Sequence, residues 1–272
     1  MKFTIITPNK NGGRFLEETI RSVISQRESG VDLEYIVIDG GSIDDSPKII
    51  KNYEQDISQI ISEPDRGPVS AINRGLRLAS GDIVAWLNAD DRYHPGALKR
   101  VAEVLTEHPD RALCFGACRI IDAGGREIRR GITRFKEAFF PISSRFTIQC
   151  LNYISQPAMF FRRSALEIAG CLREDMVAAW DYDFILRLWR HGGAVYAPGP
   201  PLADFRWHPA SISARQFTVQ FKEEFDVAAR DAGSLAPQIW IHAVVRWGIV
   251  AAYMLMAASR TRQNAKIKDL TP

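Results

Sequence analysis

Leu87-Asn88-Ala89-Asp90-Asp91 follows the apolar run Ile83-Val84-Ala85-Trp86, and the fold turns on how the two acids at its end are read. A run of this length, introduced by Gly81-Asp82, reads as a buried strand. Two adjacent carboxylates do not belong in a core, because an unpaired buried charge is costly. They fit the carboxyl end of a parallel strand, the edge at which open α/β sheets bind their ligands. Hard oxygen ligands there suit Mg²⁺ or Mn²⁺ carrying a diphosphate. Asp is also common in solvated turns, so the rest of the chain must separate the two readings.

Upstream, Phe3-Thr4-Ile5-Ile6-Thr7 is a first β-rich run, stopped by Pro8 and the polar loop Asn9 to Gly13. Arg14 to Gln26 sets Phe15, Ile20, Val23 and Ile24 mostly on one helical face. Leu33 to Ile38 is a second strand, followed by Asp39-Gly40-Gly41-Ser42-Ile43-Asp44-Asp45-Ser46 and a helix with Pro47 in its first turn. Ile57 to Ile61 is a third strand, ending in Ser62-Glu63-Pro64-Asp65-Arg66-Gly67. A helix over about 69–79 leads back to the opening strand. Strands alternating with helices argue βαβ units and a parallel sheet. Asp39, Asp65 and Asp90 then stand at three strand ends on one edge, which favours a convergent site over three unrelated turns.

Composition narrows the class. The 272 residues are 46% hydrophobic and 25% charged, which is ordinary for a globular protein of one large domain with additions. A net charge of +3 leaves no nucleic-acid footprint, so no nucleic-acid partner is expected. Cys114, Cys118, Cys150 and Cys171 show neither zinc spacing nor a disulfide pattern, and Cys114 and Cys118 read as small buried thiols. The start, Met-Lys-Phe-Thr-Ile-Ile-Thr-Pro, reads as a strand and not a signal peptide, which points to a reducing cytoplasmic setting.

Thr-Pro-Asn-Lys-Asn, Asp-Gly-Gly-Ser-Ile-Asp-Asp-Ser, Ser-Glu-Pro-Asp-Arg-Gly, Ala-Ile-Asn-Arg-Gly and Leu-Asn-Ala-Asp-Asp occur here in the order found in family 2 glycosyltransferases. The chain resembles that family over roughly residues 3 to 210. The resemblance implies an inverting enzyme of the hexosyltransferase type with the GT-A fold, a Rossmann-like nucleotide-binding sheet with helices on both faces. It implies that Thr7, Pro8 and Asn9 line the nucleotide pocket and that Asp39 accepts a hydrogen bond from the base or ribose. By the same resemblance Asp65 lies near the base, and Asn73 and Arg74 near the ribose or diphosphate. Asp90 would ligate the divalent metal, Mg²⁺ or Mn²⁺, with Asp91 beside it. Asn88 departs from the family's usual Asp. It still offers a carbonyl ligand or a ribose hydrogen bond, with one negative charge fewer.

Downstream, His94-Pro95 starts a helix running to about Glu107, and Ala112 to Ile121 and Glu127 to Gly131 read as strands. Ile132 to Tyr153 is aromatic and mixed, either a mobile acceptor loop or an ordinary surface excursion. Gln156 to Ser164 reads as a strand passing into a helix. Trp180-Asp181-Tyr182-Asp183-Phe184-Ile185-Leu186-Arg187-Leu188 resembles the family's acid-x-acid-x-x-x-Arg-Leu run, with Asp181 at the general base and Trp180 where many relatives have Glu. Inverting transfer needs a carboxylate to take the proton of the attacking hydroxyl. Asp183 reads instead as an acid favoured by the helix dipole. Phe205 to Ser213 resembles a segment that closes over the donor, which makes His208 a candidate for the diphosphate or the metal and Arg206 one for the phosphates.

The expected organisation is a catalytic domain over 1–213, with a nucleotide-binding half at 1–92 and an acceptor-binding half at 93–213. A C-terminal helical extension follows at 214–272. Phe217, Phe221 and Phe225 form a packing stripe. Ile239 to Ala258 is long enough to span a bilayer, but Arg246 and the basic tail of Arg260, Arg262, Lys266 and Lys268 argue against a span. A helix lying on the inner membrane surface through residues 239–268 is preferred. Packing on the domain, or on a second subunit in a homodimer, is the alternative.

The partners expected are a nucleotide-sugar donor, probed first as UDP-linked, and a glycan or lipid-linked acceptor in cell-surface polysaccharide synthesis. A non-catalytic nucleotide-sugar-binding relative is the rival that Asn88 would support. A nucleotidyltransferase would want a Gly-rich phosphate loop that Pro8 to Gly13 supplies poorly, and a dehydrogenase a G-x-G-x-x-G turn that is missing.

Overall fold

The computed structural model describes residues 1–209, 211 and 215–248. Strands β1 (Lys2–Asn9), β2 (Asp32–Asp39), β3 (Gln59–Ser62) and β4 (Ile83–Trp86) alternate with helices α1 (Gly13–Ile24), α2 (Ser46–Asn52) and α3 (Pro68–Leu78). β1 pairs in parallel with β2 and β4, and β2 with β3. β1, β2 and β4 are buried almost throughout because both their faces are covered, whereas β3 is an edge strand and mostly exposed. In β2, Leu33, Tyr35 and Val37 enter one core while Ile36 and Ile38 enter the other. The first core is roofed by Leu16 and Ile20 of α1 and by Leu98 and Val101 of α4 (Ala97–Glu107). The second takes Ile72 and Leu76 of α3 and Phe184 and Leu188 of α8 (Trp180–Trp189).

The downstream half extends the same sheet. With β6 (Leu113–Gly116), β9 (Met159–Arg162) and β10 (Ala194–Ala197) the seven strands run β10-β6-β9-β4-β1-β2-β3. The expected parallel sheet needs one correction, since β9 lies antiparallel between β4 and β6. The chain reaches β9 from the carboxyl edge, after an excursion that began at the end of β6, and so runs back.

That excursion also corrects the reading of Ala112 to Ile121 as one strand. It splits into β6 and β7 (Cys118–Ile121), which belong to different sheets. A Cβ on Gly116 would sit 2.4 Å from Leu202 Cδ1, so the chain turns away where only a bare backbone fits. β7 joins β5 (Arg92–Tyr93), β11 (Ala203–Arg206) and β8 (Glu127–Ile128) in a four-stranded sheet ordered β5-β11-β7-β8.

The aromatic segment 132–153 is folded. It holds most of α5 (Arg130–Glu137) and all of α6 (Arg145–Cys150), the latter opened by a Ser144–Thr147 capping box. Phe139 stacks on Tyr153 at 5.9 Å and Phe140 meets Phe115 edge-on at 5.2 Å, so Phe140 and Tyr153 are core while Phe135 and Phe146 stay exposed. After α7 (Arg163–Ala169) and α8, helix α9 (Phe217–Ala232) packs against α6 and α8. Its Phe217 and Phe221 rings meet edge-on, and Phe225 packs against the core.

Residues 237–248 are helical, with Ile239 and His242 buried and His242 Nδ1 donating to the Gln149 carbonyl at 2.9 Å. Among the described residues no helix is long and apolar enough to cross a membrane. Residues 249–258 of the expected surface helix and the basic tail beyond them lie outside the described residues, as do Ala210, Ile212 and Ser213 of the donor-closing segment.

Candidate active site

Strand register builds the first part of the site. Asn9 pairs with Asp39 across β1 and β2, and Asp39 with Ser62 across β2 and β3, so the three form a row at the carboxyl edge. Asn9 Nδ2 donates to Asp39 Oδ1 at 2.7 Å, and the Ser42 and Ser62 hydroxyls donate at 2.6 and 3.1 Å. Burial pushes the Asp39 carboxyl up, but the Ser42 hydroxyl and amide, with Asn9 and Ser62, outweigh it and hold the group below the ordinary carboxylate range. Asp39 is therefore a fixed anion. Asp65 packs directly against the next residue, since a Cβ on Gly40 would lie 2.1 Å from Asp65 Oδ2. Its Oδ1 accepts from the Gly67 amide at 2.9 Å, and Lys10 Nζ stands 3.9 Å away. Arg74 pairs with Glu63 at 2.9 Å at the rim of this edge.

The opening stretch supplies the second part. Leu87 N still donates to Ile6 O at 2.8 Å, so Asn88 to Asp91 emerge beside β1 at the same edge. Asn88 Nδ2 donates to Asp91 Oδ2 at 3.1 Å and to Gln156 Oε1 at 3.2 Å, while Gln156 Nε2 donates to the Trp86 carbonyl at 2.7 Å. Asp90 stays 27% exposed, and its Oδ2 lies 2.9 Å from Nε2 of His208, itself 18% exposed. The two residues are 118 positions apart in sequence. β11 brings them together, because it delivers Arg206 to Asp91 and His208 follows two residues later.

An imidazole nitrogen and a carboxylate oxygen facing solvent together suit one side of a Mg²⁺ or Mn²⁺ shell, whose other positions water and a diphosphate ordinarily fill. Among the described residues no third His, Cys, Asp or Glu joins them in a cluster. The donor set fits a divalent cation held jointly with a phosphorylated ligand.

Several expected residues lie elsewhere. Asp91 does not stand beside Asp90 facing a metal. It is buried, and its Oδ1 accepts from the Arg206 amide at 2.8 Å. Burial, then the neighbouring Asp90 charge, pushes its carboxyl up. Arg206 is not open to phosphates. It is 2% exposed, donates to the Asp90 carbonyl at 2.8 Å, pairs with Glu18 and lies over the Phe15 ring at 4.6 Å. The Thr7 hydroxyl accepts from Tyr35 at 3.0 Å inside the core. Asn73 is buried too, its amide bridging the Leu172 backbone at 2.9 and 2.8 Å. In each case a polar side chain inside a strand or helix serves the packing, which local sequence does not reveal.

Asp181 opens α8, half-buried, with the Tyr182 amide donating to its Oδ1 at 2.8 Å. Burial raises its carboxyl above the ordinary value, with Tyr182 and Lys136 opposing. Asp183 pairs with Arg187 at 2.8 Å along the helix. Trp180, Val177, Met176 and Glu174 line one wall of a cleft of about 410 Å³, whose other wall is Arg66 to Ser70, just after Asp65. The cleft thus runs from the loop of the acidic edge to the start of α8.

One buried group had no sequence signal. Asp204 of β11 is fully buried and meets Arg92, Arg119 and His94, each at 2.8 Å. Despite burial these three hold its carboxyl far below the usual range. The cluster joins β5, β7 and β11 within the second sheet, directly after the acids at 90 and 91.

The profile described as Glycosyl transferase family 2 matches residues 4–168. A glycosyltransferase of Mycobacterium tuberculosis, itself uncharacterized, is 33% identical over 187 residues, 68% of this chain and 67% of the relative. A mannosyltransferase from Pyrobaculum calidifontis, solved with GDP-Man and Mn²⁺, superposes with a TM-score of 0.65 at 18% identity over 96% of this chain and 79% of its own. The S. aureus protein TarS 1–349, solved with UDP, gives 0.64 at 20% identity over 85% of this chain and 65% of its own. Both structural likenesses are likenesses of fold. The chain spans only 33% of the length of a Nostoc glycosyltransferase that it matches at 36% identity over 107 residues, 38% of this chain.

Proposed function

The chain belongs to glycosyl transferase family 2 with the GT-A fold, and we propose that it is an inverting transferase moving a sugar from a UDP-linked donor to a hydroxyl of a glycan or lipid-linked acceptor. The observation carrying this reading is one sheet edge bearing both a fixed anion, Asp39, and a solvent-facing carboxylate–imidazole pair, Asp90 and His208. Asp39, 1% exposed and already accepting from Asn9, Ser42 and Ser62, takes the base or ribose in exchange for a serine hydroxyl, with Asn9 holding the carboxylate. Asp65 lies against Gly40 beside Asp39, Pro8 pairs with Ile38 one position before Asn9, and Arg74 is held by Glu63, so all three are candidates for the donor. The UDP held by TarS supports a uridine donor.

Asp90 and His208 would hold the divalent ion, and Asn88 orients the loop between them through Asp91 and Gln156. When bound, that ion neutralises charge on the departing nucleoside diphosphate. Asp181 takes the proton of the attacking hydroxyl, and its raised proton affinity makes it the stronger base. The acceptor enters by the cleft beside Trp180.

The outward face of residues 237–248 carries Trp240, Ile241, Val244 and Trp247, all exposed. Paired Trp on an amphipathic helix suits the headgroup region of a bilayer. This supports a cytoplasmic enzyme lying on the inner membrane face, within reach of a lipid-linked acceptor for cell-surface polysaccharide.

Calorimetric titration of UDP, GDP and dTDP, each with and without Mn²⁺, tests the donor site. Binding of UDP that strengthens with Mn²⁺ is expected, and no binding of any of the three by folded protein would refute it. Asp181→Asn should lower transfer at least about a hundredfold with UDP affinity retained. Near-normal turnover in that variant would remove the base assignment.

A further inference from the structure

α8 begins at a residue that cannot cap it. The first turn of a helix leaves backbone N–H groups without partners, and a side-chain oxygen at the cap normally takes one of them. Here the cap is Ala179. Glu223, 44 positions downstream on α9, instead grips the segment that leads into the helix, up to and including the cap residue. Its Oε1 accepts from the Val177 amide at 2.8 Å, and its Oε2 from the Ala178 and Ala179 amides, each at 2.9 Å. Three consecutive N–H groups close around one carboxylate, at the positive end of the helix dipole.

The segment so gripped does two things at once. Residues 174–177 form one wall of the cleft, and Asp181 lies two residues beyond the last gripped amide. Gln216, at the start of α9, faces the same cleft. Glu224, next to Glu223, is buried and accepts from Asn152 and Gln220 at 3.2 and 3.1 Å. The Asn152 bond ties α9 to the body one residue beyond the grip, and the Gln220 bond lies within α9 itself.

We propose that Glu223 is a positioning residue for Asp181, holding residues 177–179, which lead into α8 and form part of the cleft wall, in the geometry that proton removal from the acceptor requires. This rests on the reading of Asp181 as the base. Asp181 touches the acceptor; Glu223 acts only through it. The α9 helix is then part of the catalytic apparatus and not an appendage.

Glu223→Ala and Glu223→Gln in the full chain test this by hydrogen exchange of the Val177, Ala178 and Ala179 amides and by carboxyl NMR titration of Asp181, assigned with Asp181→Asn. Loss of charge-assisted bonds should speed exchange about ten- to a hundredfold in Glu223→Ala, with a smaller effect in Glu223→Gln, which keeps one acceptor oxygen. Loosening this segment admits water, so the Asp181 midpoint should fall towards the ordinary carboxylate value, while UDP affinity stays within about twofold because the amides that Glu223 grips are not those of the proposed nucleotide residues. Unchanged exchange overturns the proposal. So does faster exchange with an unmoved Asp181 midpoint, which would make Glu223 a structural cap alone. Full transfer activity in Asp181→Asn would sink the base assignment and leave both other results standing, so the two failures are distinguishable.

Discussion

Asp204→Asn is the substitution whose effect the structure fixes most closely. The carboxylate is fully buried and meets Arg92, Arg119 and His94 at 2.8 Å, so the variant leaves the Arg119 guanidinium without this counter-charge and Arg92 with Glu18 alone. Breaking one side of a buried ion pair costs about 3–5 kcal/mol. The partner side chains keep 22–33% of their surface and can be rehydrated in part, which selects the lower end, about 3 kcal/mol. For a chain of this size that is a drop in Tm of about 6–12 °C.

The pH dependence follows from the same charge. A folded carboxyl held below its unfolded value stabilises fully above the unfolded midpoint, about pH 3.9, and loses that contribution as pH falls towards the folded value. The gap between wild type and variant should therefore be full at neutral pH and shrink below about pH 4. Thermal unfolding followed by circular dichroism across that range is the assay. A variant melting within about 2 °C of wild type at neutral pH would refute the reasoning.

His208→Ala should weaken the Mn²⁺-dependent part of UDP binding at least about tenfold and leave metal-free binding unchanged, as read by calorimetry. Equal losses with and without Mn²⁺ would show that the imidazole serves the nucleotide and not the ion. Asn73→Ala removes two buried bonds to the Leu172 backbone, about 2 kcal/mol and a Tm about 4–8 °C lower, with UDP affinity unchanged. A loss of affinity without a loss of stability would return Asn73 to the donor site. Replacing Trp240 and Trp247 together by Ala should abolish co-sedimentation with anionic vesicles. A variant that still pelleted with vesicles, or a wild type that formed dimers and ignored them, would contradict the membrane reading.

What the sequence disclosed was what local pattern encodes. Apolar runs bounded by Gly and Pro gave β1, β2 and β4 within about two residues, because both faces of those strands are buried. The placing of Asp39, Asp65 and Asp90 at or just after strand ends was legible too, but not that Asp39 would be buried under Asn9, Ser42 and Ser62. Contacts between distant segments were not legible. Within Ala112 to Ile121 the sequence marks only Gly116 and Arg119, and it is the approach of Leu202 to Gly116 that splits the run. Asp91 and Arg206 look like ligands in isolation and turn out to hold each other. Gln156 and Asp204 have neighbours in space that their sequence neighbours do not announce.

The placement of β11 bears on how the molecule is made. Asp91 and the Arg206 amide that satisfies it are 115 positions apart, an interval of about 6–23 s during synthesis from the N-terminus. Over that interval the first four strands have left the ribosome, while Asp91, Arg92 and His94 lack the partners that let them be buried. They stay hydrated, and the loop bearing Asp90 stays unclosed. Nucleotide competence is then a late event on the nascent chain, timed by the arrival of a four-residue strand. A ribosome-stalled chain ending before β11 that already bound UDP would contradict this order.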